Sequence, residues 1–173
     1  MTDQSEKSIP SPVSTAAVLA VSALPADRLR LREILSQRNW ELHEASDCRE
    51  ALALLGGQSI PVLLCGRDHA DGGWKDLLNA TERLLAPPKL IVYSRLADDS
   101  LWAEVLNMGG FDVLITPFEE EEVLRVTFAA WSRWEYDSGA APPKKQMRGA
   151  AQLNTAEDVD VFTSLFRAVG ASA

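Results

Sequence analysis

Residues 89–118 read KLIVYSRLADDSLWAEVLNMGGFDVLITPF, and this stretch decides the fold. An apolar run ends at a hydroxyl, Ser94. A helical pattern follows and stops at Gly109-Gly110. A second apolar run, FDVLI, then leads into Thr116-Pro117-Phe118. The spacing predicts a strand–helix–strand unit whose first strand ends where an α/β protein keeps its chemistry.

The same alternation extends in both directions. Ala17–Val21 reads as a buried strand, and residues 27–38 as a helix with Leu31, Ile34 and Leu35 on one face. Residues 40–45 form a short alternating strand. Ser46 is expected to cap a helix over 47–55 that stops at Gly56-Gly57. Residues 60–65 are continuously apolar, as central parallel strands are. A loop over 66–73 leads to a helix from Trp74 to about Leu85, ended by Pro87-Pro88. Residues 119–134 form the last helix of the series, with acidic residues in the first turn where the helix dipole favours them. Strands alternating with helices imply a parallel sheet covered on both faces.

Composition sets the bounds. The chain has 173 residues, 46% hydrophobic and 24% charged, which suits one globular domain with tails. With 25 acidic against 17 basic residues the formal net charge is −8, which disfavours nucleic acid as a partner of the whole chain. Cys48 and Cys65 give no disulfide framework and read as ordinary thiols. Residues 1–15 are polar with two prolines, and are expected to be a disordered tail. The apolar residues 13–26 lack the positive flank of a secretory leader and are too short to span a membrane, so a cytoplasmic protein with no membrane association is expected. The domain is expected over 16–135, a linker over 136–152, and a short C-terminal helix over 153–173. In that last segment Phe162, Leu165, Phe166 and Val169 form an apolar stripe.

Five βα units with these landmarks resemble the receiver domain of two-component response regulators, of the CheY-like superfamily. Ser94, the Gly-Gly fifteen residues later, the Thr-Pro-Phe beyond it, and Pro25 and Arg28 after the first strand carry the resemblance. It implies a flavodoxin-like (βα)5 three-layer sandwich, strand order 2-1-3-4-5. It also implies a module of phosphorelay signal transduction rather than an enzyme. In such receivers a carboxylate at the end of strand three accepts a phosphoryl group. Two acids after strand one hold magnesium, and a hydroxyl and a lysine contact the phosphate.

This sequence departs from the pattern at nearly every position. The acidic pair falls on Ser22 and Ala23, the acceptor on Gly66, or on Cys65 if the alignment shifts by one, and the lysine on Thr116; only Ser94 is of the expected type. Arg95 stands where the family has a small residue, Val113 stands at the aromatic switch position, and the loop after strand three is about two residues short. Glycine offers no nucleophile, and Ser22 with Ala23 offers magnesium no carboxylate, so no cofactor is expected. The resemblance therefore points to a degenerate pseudo-receiver acting by protein–protein contact. Two alternatives stand beside it. One is a phosphoacceptor receiver using a displaced Asp68 or Asp71. The other is a small-ligand sensor at the strand ends.

Smaller features add little chemistry. His43 and His69 have no second ligand at useful spacing, and no metal site is expected. Gly56-Gly57 and Gly72-Gly73 are not phosphate loops. Lys144, Lys145 and Arg148 read as solvated linker charges. On the fourth helix Trp102, Val105 and Leu106 are expected to face the core, with Leu101 beside them. Leu101, Leu124, Phe128, Trp131 and Val113 are the expected interaction face, on helix four, strand five and helix five. It would take a signalling kinase, an output protein or a second copy. The 37 residues from 137 to 173 are few for a DNA-binding output domain.

Overall fold

In the computed structural model, residues 16–69 and 72–139 are described. The expected tail over 1–15, most of the linker and the C-terminal helix lie outside these residues. Five parallel strands, β1 (Ala17–Val21), β2 (Glu41–Ala45), β3 (Val62–Gly66), β4 (Lys89–Ser94) and β5 (Asp112–Ile115), form one sheet in the order β2-β1-β3-β4-β5. The helices are α1 (Pro25–Ser36), α2 (Cys48–Gly57), α3 (Trp74–Thr81), α4 (Asp99–Asn107) and α5 (Glu120–Ser138). This is the flavodoxin-like three-layer sandwich expected from the sequence.

Strand parity sorts the core into two halves, because successive side chains point to opposite faces. Leu19, Val21, Leu63, Cys65, Leu90, Val92 and Val113 pack with residues of α2, α3 and α4. Val18, Ala20, Val62, Leu64, Ile91, Tyr93 and Leu114 pack with Leu31, Ile34 and Leu35 of α1 and Val123, Val126 and Ala130 of α5. All five residues of β1 are buried, as its unbroken apolar run requires of a strand covered on both sides.

The turn after α4 explains the Gly-Gly pair. Gly109 has φ +96°, in the left-handed region. Gly110 donates its N–H to the Val105 carbonyl at 2.8 Å. A Cβ on Gly110 would stand 2.9 Å from that oxygen and would overlap the Val105 Cγ1 methyl.

Three local expectations need correction. Asp47, not Ser46, caps α2: its side chain accepts the Glu50 N–H at 2.8 Å. Ser46 instead donates both its N–H and its hydroxyl to the Glu50 carboxylate, and the first of these bonds holds that carboxyl below its ordinary range. Helix α3 stops at Thr81, short of Leu85. Thr81 turns its hydroxyl onto the Leu78 carbonyl at 2.8 Å, and Leu85 beyond it is fully exposed, without a core contact to extend the helix. Helix α5 runs past Trp134 to Ser138, held by Asp137. That carboxylate accepts Lys89 Nζ at 2.6 Å and Arg133 Nε at 3.1 Å, and the Lys89 bond above all keeps it below its usual range. Gly139, at φ +66°, ends the helix.

Candidate functional site at the strand ends

The topology brings Ser22, Gly66, Ser94 and Thr116 to one end of the sheet, at the C-terminal ends of β1, β3, β4 and β5. Ser22 is buried and every polar atom of it is engaged. Its N–H donates to the Ala45 carbonyl at 3.0 Å. Its hydroxyl accepts the Leu24 N–H at 3.1 Å and donates to Asp27 Oδ2 at 3.2 Å. Its carbonyl accepts the Arg28 guanidinium. Ala23 is exposed and carries nothing to coordinate an ion.

Gly66 closes β3, in register with Tyr93 on β4. The next residue, Arg67, donates its N–H to the Tyr93 carbonyl at 2.9 Å. Ser94 is half-buried, and its hydroxyl accepts the Leu96 N–H at 3.1 Å in a local turn. Thr116 donates its N–H to the Ser94 carbonyl at 3.1 Å and precedes Pro117 through a cis peptide bond.

The side chain that unites these ends is Tyr93, which the sequence reading passed over. From β4 its phenol reaches past β3 and donates to the Val21 carbonyl of β1 at 2.9 Å. Its ring meets Phe118 edge-on, centroids 5.0 Å apart. Burial above all raises the phenol's pKa beyond its ordinary range, so the group is a neutral hydrogen-bond donor at physiological pH. Parity would have found it. Tyr93 lies two residues after Ile91, on the α1–α5 face, in register with Gly66.

A cavity of about 340 Å³ opens beside this cluster, lined by Ala26, Asp27, Arg30, Arg95, Thr116, Pro117 and Phe118. Among the described residues no group of three or more His, Cys, Asp or Glu side chains converges to hold a metal ion. Asp68 lies in a two-residue ribbon arm paired with Gly73. Asp71 lies outside the described residues. His43 sits on β2 between Glu41 and Gln58, 3.4 Å from each.

The expected interaction face is redistributed. Leu101 and Val113 are core residues, 3% and 8% exposed, and cannot present a surface. Leu124 and Trp131 are half-buried on the α1 side of α5, where Trp131 meets Trp40 edge-on at 6.1 Å; Phe128 beside them is exposed. On α4 the order inverts: Leu101 and Val105 face the core, whereas Trp102 and Leu106 face outward. Trp102 donates its indole N–H to Asp112 Oδ1 at 3.2 Å, which places the ring over the start of β5. With Ile115 on the same strand, these residues give the α4–β5 edge an exposed apolar surface.

No family model and no curated protein matches the chain. Solved structures do. The signal receiver domain of an HD domain-containing protein from Pseudomonas fluorescens matches at TM-score 0.68 and 20% identity, over 78% of this chain and 99% of its own. A chemotaxis response regulator of Vibrio cholerae matches at TM-score 0.61 and 21% identity, over 67% and 98%. A probable two-component system response regulator with a GGDEF domain matches at 0.63 and 29% identity, over 69% of this chain and 50% of that one. The chain thus has the fold of response regulator receiver domains. No described helix is long and apolar enough to cross a membrane.

Proposed function

We propose that this receiver-fold chain is a non-catalytic signalling module that works through protein–protein contact, without accepting a phosphoryl group. The observation that carries the reading is the composition of the strand-end cluster. The residue at the end of β3 is Gly66, and the residues after β1 are a fully engaged Ser22 and an exposed Ala23. Tyr93 occupies the ground between β4 and β1 with a neutral hydroxyl bonded to backbone. A phosphoryl acceptor needs a nucleophile, and its magnesium needs carboxylates; these positions supply neither.

The contact surface is the α4–β5 edge, through Trp102, Leu106 and Ile115. Its occupant is a signalling protein, such as a kinase or output protein, or a second copy. Large apolar side chains grouped on a surface favour such contacts, and Trp is enriched at their energetic centres.

Incubation with acetyl phosphate and magnesium, read by intact-protein mass, tests the first half. The protein is expected to remain unmodified. A stoichiometric phosphoryl adduct, mapped to Asp68, Asp71 or any other residue, overturns the proposal.

A further inference from the structure

The cavity beside the strand ends calls for a reading of its own, independent of the docking surface. It is an open cleft bordered by three elements: the first turn of α1 through Ala26, Asp27 and Arg30, the residue after β4 through Arg95, and the β5–α5 connection through Thr116, Pro117 and Phe118. Its volume, about 340 Å³, falls in the lower part of the range that small-molecule sites occupy. Its chemistry is divided. Ala26, Pro117 and Phe118 are apolar, and Phe118 is held in place by the edge-on contact with Tyr93.

Two guanidinium groups, Arg30 and Arg95, supply positive charge. Arg30 shares its charge with Glu33 at 3.3 Å, and both of those groups are largely exposed. Arg95 forms no ion pair among the described residues, and the Thr116 hydroxyl forms no hydrogen bond among them. The one carboxylate lining the cavity, Asp27, already accepts the Ser22 hydroxyl. The first turn of α1 adds the positive end of a helix dipole. In a chain of net charge −8, the two arginines of the cleft offset Asp27 and the Glu33 that pairs Arg30, so the cleft is less acidic than the chain as a whole.

We propose that this cavity binds a small organic anion, a carboxylate or phosphate ester carrying an apolar group, noncovalently and without a metal. Arg95 and Arg30 meet the charged end, Thr116 donates to it, and Phe118 with Pro117 receives the apolar end. Guanidinium suits this work because its planar donors match carboxylate and phosphate oxygens in pairs.

Phenyl phosphate serves as the probe, in buffer containing EDTA, with amide shifts in 15N-labelled protein as the readout. Saturable shifts are expected on Ala26, Arg95, Thr116 and Phe118, reversed by dilution and with the protein mass unchanged. Benzyl alcohol, which keeps the ring and loses the charge, is expected to shift them far less. The exposed Arg95→Gln substitution is expected to weaken phenyl phosphate about tenfold or more, the value of a charge-assisted hydrogen bond. Shifts that do not saturate or that map elsewhere, an equal response to benzyl alcohol, or an unchanged affinity in the Gln variant would each overturn the proposal. Because these shifts report occupancy alone, their absence leaves the docking reading standing, whereas a phosphoryl adduct removes that reading and not this one.

Discussion

Replacing Tyr93 by Phe removes one oxygen and tests how the strand ends are tied together. The phenol donates to the Val21 carbonyl at 2.9 Å inside the core, so the variant leaves that carbonyl short of a buried partner. A buried polar group that loses its partner costs about 1–3 kcal/mol, and the ring itself stays in place against Phe118, so little packing is lost. Urea unfolding is expected to show a lower midpoint and an unchanged slope, since the surface exposed on unfolding hardly differs.

The pH dependence gives a second, sharper signature. Burial raises the Tyr93 pKa in the folded state above its unfolded value. A raised folded pKa means that the folded protein holds the proton more tightly. The associated stability is fully present below the unfolded value, about 10, and is lost as pH rises from there toward the folded pKa. Wild-type protein should therefore lose stability above about pH 10 by more than the Phe variant does, and the gap between them should narrow. Tyr136, which is exposed, provides the control through Tyr136→Phe. Equal midpoints for wild type and Tyr93→Phe, with parallel curves through the alkaline range, would refute the role assigned to the phenol.

Two further substitutions probe the partner surface and the α4 turn. Ile115→Lys places a charge on an exposed β5 position, 52% accessible, and is expected to leave thermal stability nearly unchanged. If the α4–β5 edge is the contact surface, the variant loses self-association by sedimentation and loses partner binding, and retention of both would count against that surface. Gly110→Ala forces a methyl into the Val105 side chain and carbonyl, and should destabilise the fold by about 1–3 kcal/mol in thermal unfolding. Gly56→Ala, with open space around its Cβ, is the control and should be neutral or slightly stabilising.

Much of this fold was legible because the strands announce themselves. The apolar runs of β1 and β3 have no polar face, as central parallel strands require, and in the Gly-Gly after α4 Gly109 takes a left-handed φ while Gly110 has no room for a Cβ. Helix α4 shows why other features were not legible. Leu101 with Val105 and Trp102 with Leu106 each satisfy helical spacing, so periodicity alone does not choose between the stripes. Trp102 and Leu106 were expected to face the core with Val105. The structure decides otherwise, because the indole N–H needs a partner and finds Asp112 at the surface, whereas Leu101 needs none. The same ambiguity hid the direction of Leu124, Phe128 and Trp131. Their stripe adjoins the core stripe of α5 and is divided in the structure: Leu124 and Trp131 pack against the core, Trp131 edge-on to Trp40, whereas Phe128 stays exposed.

The proposal that the strand ends accept no phosphoryl group can be tested by placing a carboxylate there. Gly66→Asp would put a carboxylate at the end of β3, in register with Tyr93. Phosphoryl transfer to it would turn one negative charge into two beside Ser22, whose hydroxyl and carbonyl are already bound by Leu24, Asp27 and Arg28. No carboxylate pair follows β1 to hold magnesium against those charges, because Ala23 offers none and Asp27 is engaged. The Gly66→Asp variant is therefore expected to stay unmodified in acetyl phosphate and magnesium, by intact mass. Adding Ser22→Asp and Ala23→Asp should be required before any adduct forms. An adduct on the single variant would show that the cation can be held without the acidic pair. Ser22 and Ala23 would then no longer account for phosphorylation-independent action, even though Gly66 itself is inert.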